Sequence, residues 1–228
     1  RRVLFRSVYG SGKIKTNKPI WNGQDDLNNK TVILNMECGY GDQIIYARFA
    51  TEVWKRGGKA ILCCEKSLHS LFSRIPGTHK CITLDEVSST YHDYWIPGFS
   101  CSWLFGHEFD TLPNEPYIFA KQESVELWKS MLSSDKIKIG IRWSGNPEFE
   151  HQQFRRFPEN FLFNLAQYPE LQLYSLQRDN NILNLPDNII DLQHILLSWD
   201  DTAAAIENLD IVITSCTSVA HLSAAMEI

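Results

Sequence analysis

One stretch limits the fold more than any other: TVILNMECGYGDQIIYARFATEVWKRGG, residues 31–58. A buried-type apolar strand over residues 31–36 runs into a small polar turn. A helix with apolar residues at helical spacing follows over 42–56 and stops at Gly57-Gly58. The same rhythm continues with a strand over 59–64, a helix over 67–74, and short strands over 80–84 and 93–96. That alternation predicts parallel sheets with helical crossovers. It pauses at a helix over 123–132 and restarts. Strands are expected at 136–142, 171–175, 189–191 and 211–214. Helices are expected from about Pro158, over 201–208 with Asp200 or Asp201 as cap, and over 217–226. The reading is α/β, in two halves. The second half is short of a strand–helix unit compared with a complete doubly wound sheet.

Composition narrows the class. The 228 residues are 43% hydrophobic and 21% charged, with formal net charge −5 and no long basic run. Neither a nucleic-acid partner nor a membrane span is expected. The 6 cysteines include no C-x-x-C pair. That argues for buried thiols in a reducing, cytoplasmic setting, without disulfides or zinc. The histidines show no metal-ligand spacing.

Three turns carry candidate chemistry. In ECGYGDQ, Gly39 and Gly41 would let backbone approach a ligand. Asp42 is either a general base toward a hydroxyl or an N-cap of the helix. Ile44 replaces the third glycine of a dinucleotide fingerprint, which disfavours an oxidoreductase. In SCTSVAHLSAAM, the amides of Thr217, Ser218 and Val219 at a helix start suit an anion, with His221 one turn in. A cap with a core histidine is the alternative. In IRWSGNP, followed by HQQFRRF, Ser144 ends a strand and Arg155 or Arg156 could clamp a pyrophosphate, or face solvent. Gln177, in SLQRD, would contact a ribose or satisfy backbone. Cys216 is a weaker candidate, a thiol without an evident base.

These segments together resemble a known family. PIWNGQDDLNNKTVILNMECGYGDQIIYARFA, IGIRWSGNP, YSLQRD and DDTAAAIENLDIVITSCTSVAHLSAAM follow in order the signature of glycosyltransferase-like domains found downstream of tetratricopeptide repeats. Those domains are similar to the heptosyltransferases of glycosyltransferase family 9. The resemblance implies a GT-B-like architecture, two Rossmann-like domains facing a cleft, with the C-terminal domain incomplete. It implies residues 31–122 as acceptor domain, 123–135 as inter-domain helix and linker, and 136–228 as nucleotide-sugar domain. Residues 8–30 would be a leader or linker remnant. Residues 1–7, RRVLFRS, resemble a translated sequencing adaptor. Tetratricopeptide repeats would precede this segment in the full-length protein.

The activity implied is metal-independent, inverting transfer of a hexosyl or heptosyl group from a nucleotide-sugar, with no cofactor. Asp42 would be the base, beside the acceptor-side Gly39, Gly41 and Gln43. Ser144, Arg155, Gln177, Thr217, Ser218, Val219 and His221 would hold the donor. The acceptor would be a glycan, a lipid-linked sugar or a protein. Cys216 stands where the heptosyltransferases commonly carry aspartate, and Gln177 stands where an acid often meets the ribose. Both departures leave open a non-catalytic module that binds a glycan or a partner.

Overall fold

The computed structural model describes residues 14–147, 152–178 and 185–228. The chain divides after Ile118 into two units, each built on its own sheet. The first unit holds β1 (Thr31–Asn35), α1 (Tyr40–Ala47), α2 (Phe49–Lys55), β2 (Lys59–Cys63), α3 (His69–Phe72), β3 (Thr78–Ile82), β4 (Tyr94–Pro97) and α4 (Cys101–Leu104). The second holds α5 (Gln122–Met131), β5 (Ile137–Arg142), α6 (Asn160–Phe163), β6 (Leu171–Ser175), β7 (Ile189–Asp191), α7 (Trp199–Glu207), β8 (Ile211–Thr214) and α8 (Ser218–Met226). This is the α/β class expected from the sequence.

Both sheets are parallel and share one plan. The orders are β3-β2-β1-β4 and β7-β6-β5-β8. In each, the first strand lies between its second and its last, so the strand order reverses beside it. That reversal opens a crevice at the carboxyl ends of the strands. The first strands read as apolar runs because both their faces are covered. Val32, Ile33 and Leu34 have no exposed surface. Ile33, Ile61, Cys63, Ile82 and Val87 form one core cluster of the first unit. Ile139, Ile141, Trp143, Leu162, Leu173 and Ile189 form a cluster in the second.

Three local expectations are corrected. The helix read as continuous over 42–56 is two helices that part at Arg48. There the guanidinium takes the carbonyl of Ile45 at 3.0 Å, reaches the carbonyl of Pro113 at 3.0 Å and lies over the Tyr117 ring. The segment read as inter-domain, 123–135, carries α5, which belongs to the second unit. Trp128 on α5 is buried, and Asn208 at the end of α7 donates to the Val125 carbonyl at 3.0 Å. Helix α7 is capped by Ser198, whose hydroxyl accepts from the Asp201 amide, while the Asp201 carboxylate accepts from the Ser198 amide. This reciprocal pair is a capping box, and Asp201 serves its inner half.

Where α2 passes over the entry to β3, space is tight. Gly77 has φ +92°, and a Cβ there would stand 2.7 Å from both the Ala50 carbonyl oxygen and the Trp54 Cβ. Both the left-handed backbone and the backbone contact oppose a side chain. Gly77→Ala should therefore cost about 2–4 kcal/mol. Urea unfolding monitored by circular dichroism measures it, and an unchanged midpoint would refute the packing argument.

Candidate functional site

In the first unit the chain leaves β1 through Met36, Glu37 and Cys38. Cys38 has φ +65°, a left-handed conformation uncommon for a residue with a side chain. Gly39 is the N-cap of α1 and is extended. A Cβ at Gly39 would meet only the Asp42 Oδ2, at 3.6 Å, which is an ordinary contact. Gly39 is thus not required here by close packing, and Gly41 lies in the first turn of α1.

Asp42 is the third residue of α1, not its cap. Its Oδ2 accepts from the Gly39 amide at 3.2 Å, and no bond to Oδ1 is made among the described residues. The carboxylate is half-buried and sits where it also opposes the positive end of the helix. One oxygen is oriented and the other is available, which is an arrangement a general base can use.

Gln43 holds this turn in place. Its side chain is buried, donates to the Cys38 carbonyl at 3.1 Å and accepts from the Glu65 amide at 2.9 Å. It therefore ties the β1–α1 turn to the chain leaving β2. Residues the sequence reading passed over crowd the same place. Glu37 is buried, and its carboxyl group takes the Phe99 amide on the loop after β4. Burial raises its pKa above the ordinary 4.5, with the Phe99 bond opposing in part. Burial, then the Asp42 charge, then Cys101, push the Tyr46 phenol up as well. The available signal was a lone acid at the end of an apolar strand.

In the second unit the analogous turns follow β5 and β8, which are paired neighbours. The Ser215 amide donates to the Arg142 carbonyl at 2.9 Å, so the two turns begin side by side. Thr217 is the N-cap of α8, but no side chain caps that helix. The Thr217 hydroxyl instead pairs with that of Thr214 at 3.2 Å. The Thr217 side chain therefore does not serve the first amides of α8. Ser218 opens the helix, Val219 is buried, and His221 is half-buried one turn in.

Arg155 reaches this turn from the loop after β5. Its guanidinium donates to the Cys216 carbonyl and lies 3.6 Å from the Cys216 sulfur. Cys216 is exposed, unlike the buried thiols expected for this chain. Gln177 is buried and directed at Ser144. Its Nε2 donates to the Ser144 carbonyl at 3.2 Å and hydroxyl at 2.8 Å, and its Oε1 accepts from the Ser144 amide at 3.3 Å. Of its two expected uses, satisfying backbone is the one the structure displays. Arg142 adds a bond to the same Ser144 carbonyl at 3.1 Å. Ser144, Arg155, Thr217, Ser218 and Val219 thus gather at the ends of β5 and β8, with Gln177 as a support beneath Ser144.

Solved structures share this fold. The Escherichia coli ADP-heptose lipopolysaccharide heptosyltransferase II superimposes with a TM-score of 0.64 at 12% identity, covering 86% of this chain and 82% of that one. A glycosyl transferase family 9 protein of Veillonella parvula gives 0.68 at 12% identity, covering 90% and 80%. The chain has the fold of these glycosyltransferases. The iron-containing dodecameric glycosyltransferase TibC of enterotoxigenic E. coli gives 0.61 at 11% identity, and this chain spans 58% of its length. TibC, described as a heptosyltransferase, has also been solved with ADP-D-beta-D-heptose. No family model and no curated protein matches the sequence. Among the described residues, no helix is long and apolar enough to cross a membrane, and no group of three or more His, Cys, Asp or Glu could hold a metal ion.

The Gln177 clamp gives a direct test of the second unit. Gln177→Glu replaces two donated bonds with a carboxylate facing the Ser144 carbonyl. Protonation restores a donor, so the new acid should have a raised pKa. Its stabilising contribution is then present at low pH and lost as pH rises through that pKa. The variant should be destabilised by about 1–3 kcal/mol at pH 7 and by less at pH 5. Urea midpoints at the two pH values decide it, and equal losses would show that the amide orientation is unimportant.

Proposed function

We propose that this chain transfers a sugar from a nucleotide-sugar to an acceptor hydroxyl, with inversion and without a metal. The observation that carries the reading is the content of the two sheet-end turns. In a family 9 glycosyltransferase fold, one presents a carboxylate and the other an uncapped helix start with an arginine beside it.

The chemistry is a single displacement. Asp42 removes the proton of an acceptor hydroxyl, and that oxygen attacks the anomeric carbon from the face opposite the nucleotide. The C–O bond to the diphosphate breaks as the new glycosidic bond forms, so the configuration inverts. Charge gathers on the departing diphosphate. The first amides of α8, the hydroxyl of Ser218, His221 and Arg155 supply the opposing positive potential. Thr217 and Val219 shape that helix start, and Gln177 holds the Ser144 turn next to it. The donor is a nucleoside diphosphate sugar of hexosyl or heptosyl type. The ADP-heptose complex of TibC supports the class of donor, not this chain's choice of sugar.

The test is a thermal-shift panel with UDP, GDP, ADP and CMP, followed by transfer assays with the matching sugar nucleotides. One nucleotide should stabilise the protein selectively, by about 2.7 kcal/mol when present at 100 times its Kd. A Thr217→Val/His221→Ala double variant should lose that stabilisation. Asp42→Asn should keep it and lower transfer by roughly 10²–10⁴-fold. No shift with any nucleotide, from a folded protein, would favour the non-catalytic binding module. Full transfer by Asp42→Asn would remove Asp42 as the base.

A further inference from the structure

The first unit holds a buried acid that the proposed displacement does not use. Glu37 is 8% exposed and lies at the carboxyl end of β1, five residues before Asp42. Its carboxyl group takes the Phe99 amide, yet its Oε2 is buried with no hydrogen-bond partner among the described residues. The next residue on the opposing loop, Ser100, is 3% exposed, and its hydroxyl is likewise buried without a partner. Buried polar groups are nearly always satisfied, and an exception at the reversal point of a parallel sheet calls for an explanation.

The surroundings indicate which form of Glu37 is stable. The titratable groups packed here are Tyr46 and Asp42 on α1, the Cys101 thiol on α4 and Cys38 in the loop itself. None is a cation. Cys101 is fully buried and donates to the Pro97 carbonyl, so it has no proton to spare for Glu37. A carboxylate in this place would lack a counter-charge among these groups, so its burial favours the protonated form.

We propose that Glu37 is the neutral partner of Asp42: a protonated acid that positions the Asp42-bearing turn by tying the end of β1 to the loop after β4, while leaving Asp42 the one carboxylate of the turn. Glu37 acts through the backbone and is a positioning residue. The tie runs from Glu37 to Phe99 on one side. On the other it runs along the left-handed Cys38 to Gly39, whose amide Asp42 holds. Ionising Glu37 puts an unpaired charge under that turn and loosens it. This assignment rests on Asp42 serving as base in glycosyl transfer.

The sign of the pH effect follows from burial. An acid held above its ordinary pKa in the folded protein contributes stability in full below the unfolded value near 4.5. That contribution is lost as pH rises through the folded value. Glu37→Gln keeps the neutral shape and cannot ionise. Glu37→Ala leaves the Phe99 amide unpartnered at every pH.

The experiment is a carboxyl-carbon and amide NMR titration of the whole chain from pH 4 to 9, with thermal melts of wild type, Glu37→Gln and Glu37→Ala across the same range. The Glu37 carboxyl should titrate above 4.5, and the Gly39 and Phe99 amide signals should shift in step with it. Those steps should vanish in Glu37→Gln, which should also melt increasingly above wild type as pH rises. Glu37→Ala should melt below wild type at low pH, where Glu37→Gln does not. Titration of Glu37 at or below 4.5 would overturn the assignment. So would a Gly39 amide that ignores the titration, because Glu37 would then not act on the Asp42 turn. None of these readouts requires turnover or a nucleotide, so they stand or fall separately from donor binding.

Discussion

The constraint on which both units depend is the loss of backbone pairing where neighbouring parallel strands end. Past that point the first two strands of each sheet, β1 with β2 and β5 with β6, continue into loops. Amides and carbonyls there have no ladder partner, and burying them unpaired is costly. Each unit answers with a buried glutamine. Gln43 spans the Cys38 carbonyl and the Glu65 amide, and Gln177 clamps Ser144 from both sides. A primary amide suits this task because it donates and accepts at once and carries no charge to desolvate. Rigid turns result, and rigid turns can present a carboxylate or a row of amides in a fixed direction.

The two turns differ in electrical character. The first gathers Glu37, Asp42 and Tyr46 around the start of α1. The second offers uncapped amides of α8 with the Arg155 guanidinium against Cys216. An acidic turn handles protons, and a positive one handles anions. A reaction that removes a proton from one substrate and expels a diphosphate from another needs one of each. The proposal of transfer rests on each unit carrying one of these turns, beyond the fold alone.

Much of the fold was legible because parallel strands covered on both faces must be apolar throughout. VIL in β1 and AIL in β2 could be read without any knowledge of tertiary structure. The Gly57 stop was legible too: only a residue at ease with φ +76° ends α2 there. The errors came where a side chain competes with the backbone. Arg48 breaks a helix whose apolar spacing runs on through it, and Ser198 takes the cap from two adjacent aspartates. The role of α5 was not legible, because a helix with one tryptophan on its buried side looks the same between domains as within one. The anion-type turn was visible as small residues after a strand and Gln43 was expected in the acceptor-side turn, while the buried tie that Gln43 makes and the role of Glu37 were not visible. Their meaning lies in contacts with Phe99 and Glu65, far along the chain.

The glutamine at 177 bears on what the second unit can hold. An acid there would be suited to a ribose hydroxyl only if it faced outward, and an inward acid would meet the Ser144 carbonyl. Gln177 faces inward, with its amide on Ser144, so under the proposed function the diphosphate cradle rests on α8 and Arg155 rather than on this side chain. Cys216 sits against the same guanidinium, its carbonyl accepting from Arg155 and its sulfur 3.6 Å away, so the residue at 216 bears on how Arg155 is held at the start of α8.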